Sequence, residues 1–145
     1  LRKKHGLLIG EQTAEQIKIK IGSAIKVEKP RSYEIKGRDA AGGMPRSLII
    51  DSNEVAEALR VPLNQIIGAI KSVLERTPPE LAADIIDRGM VMSGGTALLA
   101  NLDKLFTRAT GVPSYVAEEP MFCVAKGTGV ALELYAQGNA VMREQ

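Results

Sequence analysis

The chain has 145 residues, enough for one domain or one lobe of a larger protein, and its 45% hydrophobic and 25% charged content excludes disordered, collagen-like and coiled-coil chains. Trp is absent and aromatic residues make up only 3%, which argues against proteins that bind single-stranded nucleic acid by base stacking. The net charge of +2 is unevenly distributed, because residues 1–50 carry 11 Lys and Arg against 5 Asp and Glu, whereas residues 51–145 carry 8 against 12.

The first predicted elements are a helix end and the start of a second helix. The stretch Leu7 to Gly10 ends in a residue that stops helices. Thr13, followed three residues later by Gln16, has the pattern of a capping box, so a new helix is predicted to begin at Thr13.

The residues after Thr13 fit two kinds of structure. Isoleucines at 17, 19 and 21 alternate with lysines, as in a strand. Ala14, Ile17 and Ile21 also share one face of a helix. The residue pattern leaves the strand and the helix equally open.

A β-hairpin followed by helices is predicted next. Residues 32–39 and 45–51 are rich in strand-forming residues and flank a Gly-Gly loop, which indicates a hairpin. Asp51, with Glu54 three residues on, should cap a short helix ending at Leu59. A separate amphipathic helix should then have Pro62 in its first turn and end at Pro78-Pro79. Its inward face is predicted to consist of Leu63, Ile66, Ile67, Ile70, Val73 and Leu74.

The last part of the chain has the alternation of an α/β domain. A helix over residues 80–87 should end at Gly89, and residues 90–92 should form an apolar strand. Ser93 to Thr96 then leads into a helix, a strand covers residues 113–116, and a final helix covers residues 121–136. The helix after Thr96 is expected to point Leu98, Leu99, Leu102, Leu105 and Phe106 inward. A boundary near residue 60 divides the chain into residues 1–60 and 61–145.

The run Ser93-Gly94-Gly95-Thr96 is the strongest candidate for a functional site. Two glycines directly after a strand allow a sharp turn and bring N–H groups at the next helix start close to an anion or a flat ring. The run is neither a Walker loop nor a dinucleotide-binding fingerprint. It is therefore either a simple tight turn or a nucleotide-facing loop.

Residues 11–18 form the second candidate. In a helix, Glu11, Glu15 and Lys18 would share a polar face that could hydrogen-bond a ribose or an adenine edge. The same face could equally be a salt-bridged surface, and the basic first third could be a solvated face or one that attracts phosphate. No pair of carboxylates here resembles a general acid and base, so no catalytic residue is assigned.

Neither Cys123 nor His5 is predicted to carry chemistry. Cys123 stands in an apolar run and is interpreted as a small core residue, and a single cysteine fits a reducing, cytoplasmic setting. His5, beside two lysines, is interpreted as a surface residue, and no metal site is expected. The chain begins with Leu1 inside a helix end, so we expect it to be a fragment. No apolar run reaches the ~20 residues that a membrane span requires.

Seven segments of this chain carry a family resemblance. The segments near the start are Leu7-Leu-Ile-Gly-Glu-Gln-Thr-Ala-Glu-Gln-Ile-Lys18, Ile21-Gly-Ser-Ala24 and Lys36-Gly-Arg-Asp39. The later segments are Leu74-Glu-Arg-Thr-Pro-Pro-Glu-Leu-Ala-Ala-Asp-Ile-Ile-Asp-Arg-Gly89, Ser93-Gly-Gly-Thr-Ala-Leu-Leu99, Val116-Ala-Glu-Glu-Pro120 and Cys123-Val-Ala-Lys-Gly-Thr-Gly129. In order and over almost the whole chain, these segments resemble those of the MreB family, the bacterial actin homologues that determine rod shape.

The resemblance implies an α/β fold of the actin-like ATPase, ribonuclease-H-like kind, of which this chain is the second lobe. Residues 1–60 would be the small outer α+β subdomain, and residues 61–145 the inner α/β subdomain. It favours the helix after Thr13. It also implies a site for ATP with Mg²⁺ in the intact protein. The residues that would face the nucleotide are Glu11, Gln12, Thr13, Ala14, Glu15, Lys18, Gly94, Gly95, Thr96 and Ala97.

The resemblance also implies a role in the cell and limits what this chain can do alone. Family members assemble into filaments, organise cell-wall synthesis at the inner face of the membrane and bind RodZ and other membrane proteins of the rod complex. The phosphate loops and Mg²⁺-holding residues belong to the part of the family fold before Leu1, so we expect no ATP hydrolysis by this chain alone. No nucleic acid and no direct membrane contact are expected. Thr96 stands where the family often has a third glycine. The alternative is a non-catalytic α/β interaction module with a vestigial nucleotide face.

Overall fold

The structure, a computed structural model, describes residues 1–143 as two small sheets with helices packed against them. The helices are α1 Arg2–His5, α2 Glu11–Ile21, α3 Ser52–Glu75, α4 Pro79–Arg88, α5 Leu102–Thr110 and α6 Cys123–Arg143, with a 3₁₀ turn at Gly95–Leu98. The strands are β1 Leu7–Leu8, β2 Ser32–Asp39, β3 Pro45–Asp51, β4 Met90–Met92 and β5 Ser114–Val116.

Helix α2 confirms the helical interpretation of the residues after Thr13. Ile17 and Ile21 are buried, whereas Ile19 lies on the outer face with 71% of its surface exposed. The capping-box prediction is wrong, because the helix begins at Glu11 with Gly10 as its N-cap and no side chain caps it. Thr13 therefore lies inside the first turn.

The predicted hairpin is confirmed and is part of a three-stranded antiparallel sheet in the order β1-β2-β3. Helix α2 packs on one face of this sheet. The residues buried between the helix and the sheet form the first cluster, which consists of Leu7, Ile17, Ile21, Ile35 and Ile50. Alternate residues of β2 point the other way and are exposed, which gives the strand its two-residue period.

Helix α3 begins as predicted but does not end at Leu59. The Asp51 carboxylate accepts hydrogen bonds from the backbone N–H groups of Asn53 (2.8 Å) and Glu54 (2.9 Å), which caps the helix. The helix then continues through Pro62 to Glu75 as one element of 24 residues. Pro62 is exposed, while Leu63 beside it is buried, so packing of the apolar face holds the helix together across the missing N–H.

The second part of the chain is a β-α-β unit. Strands β4 and β5 pair in parallel, and α5 connects them. The second cluster consists of Ala24, Leu63, Leu99, Leu102 and Phe106, with Leu59, Ile67, Ile70, Met92 and Leu105 packed against it. Helix α4 ends before Gly89, as predicted. Strand β5 begins one residue later than predicted, and α6 begins at Cys123 and extends past residue 136.

The helix predicted directly after Thr96 is interrupted. A single 3₁₀ turn ends at Leu98, and α5 begins only at Leu102. Asn101 between them has φ of +61°, a left-handed conformation that a continuous α-helix does not allow. Leu98 is consequently 58% exposed, against the prediction that it points inward, whereas Leu99, Leu102 and Phe106 are buried as expected.

Each cluster belongs mainly to one side of the proposed boundary near residue 60, but α3 crosses that boundary without a break. The division into residues 1–60 and 61–145 therefore stays a prediction. Across residues 1–143, no helix is both long enough and apolar enough to cross a bilayer.

Substitutions of Gly89, which lies against β5, and of Gly68, which lies in open space, test how closely β4 and β5 are packed. Gly89 has φ of +78°, and a Cβ there would lie 2.6 Å from the carbonyl oxygen of Pro113 and from the ring of Tyr115. We expect Gly89→Ala to lower the free energy of unfolding by about 2 kcal/mol or more, since it adds a steric clash to backbone strain. Gly68→Ala, in open space on α3, should raise it by roughly 0.5–1 kcal/mol. Urea denaturation measures both, and equal stability of the two variants would contradict the packing described.

Candidate functional site

The glycine turn, Ser93 to Ala97, lies where β4 ends. Gly94 has φ of +87°, which glycine adopts without strain. A Cβ on either Gly94 or Gly95 would meet no protein atom within 4 Å, so the surface in front of the turn is open. A flat ring or a phosphate could therefore approach the backbone closely.

Three details of the glycine turn differ from the expectation based on the sequence. The N–H of Gly94 donates to the carbonyl of Pro120 at 2.7 Å, so it is already bonded within the protein. The glycine turn leads into a single 3₁₀ turn and not into an α-helix, so a helix dipole would stabilise a bound anion less than predicted. Ala97 is only 4% exposed and belongs to the protein interior, while Thr96 is exposed.

The polar face of α2 is the second candidate element. Residues Glu11, Ala14, Glu15 and Lys18 line a cleft of about 840 Å³ between α1, α2 and the first half of α3. This volume is within the ~300–1,000 Å³ range of small-molecule sites. Gln12 and Thr13 do not line it. The structure thus brings four of the six α2 candidates to one cleft.

A charged cluster across this cleft joins α1 to α3. The Glu54 carboxylate accepts hydrogen bonds from the Lys4 ammonium and from Nε2 of His5, the latter at 2.9 Å. The bond from Lys4 holds the pKa of Glu54 below its ordinary value of 4.5, against the opposing effect of burial, and the bond from His5 adds to the lowering. The sequence interpretation of His5 as a surface residue missed this contact, because its partner lies 49 residues away.

The glycine turn and the α2 face do not share this cleft, since none of residues 93–97 lines it. They are instead joined at their far ends. The N–H of Ala24 donates to the carbonyl of Ala100 at 2.8 Å, and Nδ2 of Asn101 donates to Oγ of Ser23 at 3.1 Å. The segments that follow the two elements thus lie side by side.

Cys123 is not the core residue that the sequence indicates. It is the first residue of α6 and is partly exposed, with its Sγ 3.8 Å from the carbonyl oxygens of Glu118 and Glu119. Within residues 1–143, no group of three or more His, Cys, Asp or Glu side chains is arranged to hold a metal ion.

Comparison with known proteins gives consistent matches over the chain. The family model described as MreB/Mbl protein matches residues 1–139. The chain is 52% identical over 134 residues to the cell shape-determining protein MreB of Escherichia coli (strain K12) and 51% identical over 133 residues to Mbl of Bacillus subtilis (strain 168). These alignments cover 92% of this chain but only 39% and 40% of the relatives. The chain therefore spans about two fifths of their length.

Solved structures match in the same way. MreB5 of Spiroplasma citri, solved bound to ADP and to AMPPNP, superposes with a TM-score of 0.91 at 35% identity. The match covers 96% of this chain and 42% of MreB5. The subunit of the MamK double helical filament matches at TM-score 0.66 and 22% identity over 83% of this chain and 37% of that chain, which shows a shared fold.

The hydrogen bonds that Glu54 accepts from Lys4 and His5 should make the free energy of unfolding depend on pH in the acid range. Because the pKa of Glu54 is lowered by folding, its stabilisation is complete above the unfolded value of about 4.5 and is lost as pH falls through the folded pKa. We expect Glu54→Gln to be less stable than the wild type by about 1 kcal/mol at pH 7, with the gap closing below pH 4.5. Urea denaturation at several pH values measures this, with Glu34→Gln on the exposed face of β2 as control. A gap that is the same at pH 7 and pH 3.5 would show that the charge of Glu54 is unimportant.

Proposed function

The chain belongs to the MreB/Mbl family, and from that premise we propose that it forms the second lobe of an ATP-binding, filament-forming protein that determines bacterial cell shape. Its fold is that of the actin-like proteins, as the sequence predicts. The observation that carries the proposal is the match of 96% of the chain, at a TM-score of 0.91, to MreB5, which was solved with ADP and with AMPPNP.

We propose that the nucleotide lies between the α2 face and the glycine turn. Two features of this chain support the proposal: open space in front of Gly94 and Gly95, and exposed polar side chains on α2 that include Glu11 and Glu15. Lys18 on the same helix is half-buried, lines the cleft between α1, α2 and α3, and offers a positive charge. In this arrangement α2 would hydrogen-bond the adenosine, while the turn would admit the flat base or a phosphate without a side chain in the way.

Among residues 1–143, no group of three or more His, Cys, Asp or Glu side chains is arranged to hold the Mg²⁺ expected with ATP. We therefore assign the α2 face and the glycine turn to nucleotide positioning. Hydrolysis by this chain alone is not expected, because phosphoryl transfer depends on a positioned metal ion and on positioned side chains.

The proposed setting of the protein is the inner face of the bacterial membrane. There it would assemble with further copies of itself and would contact RodZ and other membrane proteins of the rod complex. The alternative, an interaction module that does not bind nucleotide, is less favoured, because the nucleotide-bound relative matches almost the whole chain. A nucleotide-binding measurement separates the two.

Substitutions at Gly95 test the nucleotide site. In the natural gene product that carries this chain, we expect Gly95→Asp to weaken binding of a fluorescent ATP analogue at least about tenfold, since a carboxylate would repel phosphate at short range. Gly95→Ala should weaken it less, because it adds bulk without charge. Both variants should keep the wild-type unfolding midpoint, since a Cβ there meets no protein atom within 4 Å. A folded Gly95→Asp variant with unchanged affinity would show that the turn has only a structural role.

Assembly gives a separate test. Actin-like filaments join subunits through different surfaces at each end, which makes the contact open-ended, and one lobe offers only part of those surfaces. The isolated 145-residue chain should therefore sediment as a monomer or weak dimer, because interfaces much below ~1,200 Å² are usually transient. Filaments of this chain without nucleotide would contradict that expectation.

Calorimetric titration with the cytoplasmic domain of RodZ tests the proposed partner. If the natural gene product binds RodZ but this chain gives no heat of binding, a docking surface for RodZ on this lobe is refuted.

A further inference from the structure

We propose that Ser23 and Asn101 are positioning residues that fix the α2 face relative to the glycine turn, and so set the affinity for nucleotide. We call their contact, with the backbone pairing of Ala24 and Ala100, the latch. The inference rests on the proposed function, because it concerns the same nucleotide site.

The latch is a part-buried polar contact between distant parts of the chain. Ser23 is only 3% exposed, and its hydroxyl donates to the carbonyl of Ile25 at 2.6 Å while accepting from Nδ2 of Asn101 at 3.1 Å. Beside it, Ser23 and Ala100 form an isolated parallel bridge that includes the bond from the N–H of Ala24 to the carbonyl of Ala100. A buried hydroxyl with both its donor and its acceptor sites engaged tolerates little displacement.

Each side of the latch follows one of the two nucleotide-facing elements closely. On one side, the N–H of Gly22 donates to the carbonyl of Lys18 at 2.9 Å, which ties the end of α2 to the segment of Ser23. On the other side, the N–H of Leu99 donates to the carbonyl of Thr96 at 3.0 Å. Lys18 is five residues from Ser23, and Ala97 is four residues from Asn101. A shift at the latch should therefore move both elements, which lie only four and five residues away.

The segments that follow α2 and the glycine turn are also tightly packed against each other. A Cβ added to Gly22 would lie 2.9 Å from Cδ1 of Leu99, which is closer than side chains normally approach. Leu99 and Ala24 are both buried in the second cluster. The apolar contact holds the two segments together, and the hydrogen bond from the amide of Asn101 fixes the position of one segment along the other.

The identity of residue 101 fits this role. Its φ of +61° is a conformation that asparagine adopts more readily than most residues, and its carbonyl accepts from the N–H of Leu105 at the start of α5. Glycine would also adopt this backbone, but it has no amide to reach Ser23. Comparison of asparagine with glycine at this position therefore isolates the hydrogen bond.

The test measures nucleotide affinity and stability together, in the natural gene product that carries this chain. The variants are Ser23→Ala, Asn101→Gly and the double variant. The control is Ser114→Ala, because Ser114 is also buried, at 6% exposure, and its hydroxyl also donates to a carbonyl two residues away, that of Val112, at 3.2 Å. Titration with the fluorescent analogue mant-ATP gives Kd, and thermal unfolding gives Tm.

We expect Ser23→Ala and Asn101→Gly each to raise Kd roughly three- to tenfold, the size of effect that loss of one hydrogen bond produces. The Kd of the double variant should be about equal to that of the single variant with the higher Kd, because both substitutions remove the same contact. Ser114→Ala should lower Tm by a similar amount and leave Kd at the wild-type value. This pattern separates positioning from a general loss of stability.

Three results would overturn the proposal. Latch variants with lower Tm but wild-type Kd would show that the latch is structural only, with the nucleotide site itself intact. An equal rise in Kd for Ser114→Ala would show that the effect follows from stability. A wild-type protein that does not bind mant-ATP would refute the nucleotide site and the latch together. If Ser23→Ala does not fold, Asn101→Gly decides alone, since it changes a partly exposed side chain.

Discussion

The continuous helix α3 is the element on which both halves of the structure depend. Val55 packs against the first cluster, Leu63 belongs to the second, and Leu59 and Ile67 pack against the second. An interior proline such as Pro62 costs a helix about 3 kcal/mol. Full burial of a large aliphatic side chain returns roughly 1.5–3 kcal/mol, so buried Leu63 together with the partly buried side chains on the same face outweighs the proline. One rigid helix therefore crosses from the sheet to the β-α-β unit.

This construction places the candidate site elements on two different cores. Helix α2 contributes Ile17 and Ile21 to the first cluster, while the segment after the glycine turn contributes Leu99 to the second. The spacing between α2 and the turn is consequently a property of how the two cores are joined, and α3 and the latch join them. Side chains of α3 and of the latch thereby set the distance between the two candidate elements.

Features that depend on neighbouring residues were predictable from the sequence, and those that depend on distant residues were not. The hairpin, the Asp51 cap and the end of α4 at Gly89 each follow from a few adjacent side chains. The pairing of His5 with Glu54 joins residues far apart in the chain. Periodicity predicted Leu98 to be buried, but the left-handed Asn101 interrupts the helix and leaves Leu98 exposed. The residue patterns and the family motifs both indicated the two candidate elements, while the contact that joins their far ends gave no sequence signal.

The latch also has a consequence for the order in which the chain folds. It joins residues 78 positions apart, and closing a flexible loop of that length costs roughly 4 kcal/mol of chain entropy. The five buried residues of the first cluster all lie between positions 7 and 50, so that core closes through much shorter loops. During synthesis residues 7–51, which form the sheet and α2, leave the ribosome before residues 99–106. We therefore expect the half with α2 to form first and the half with the glycine turn to assemble onto it.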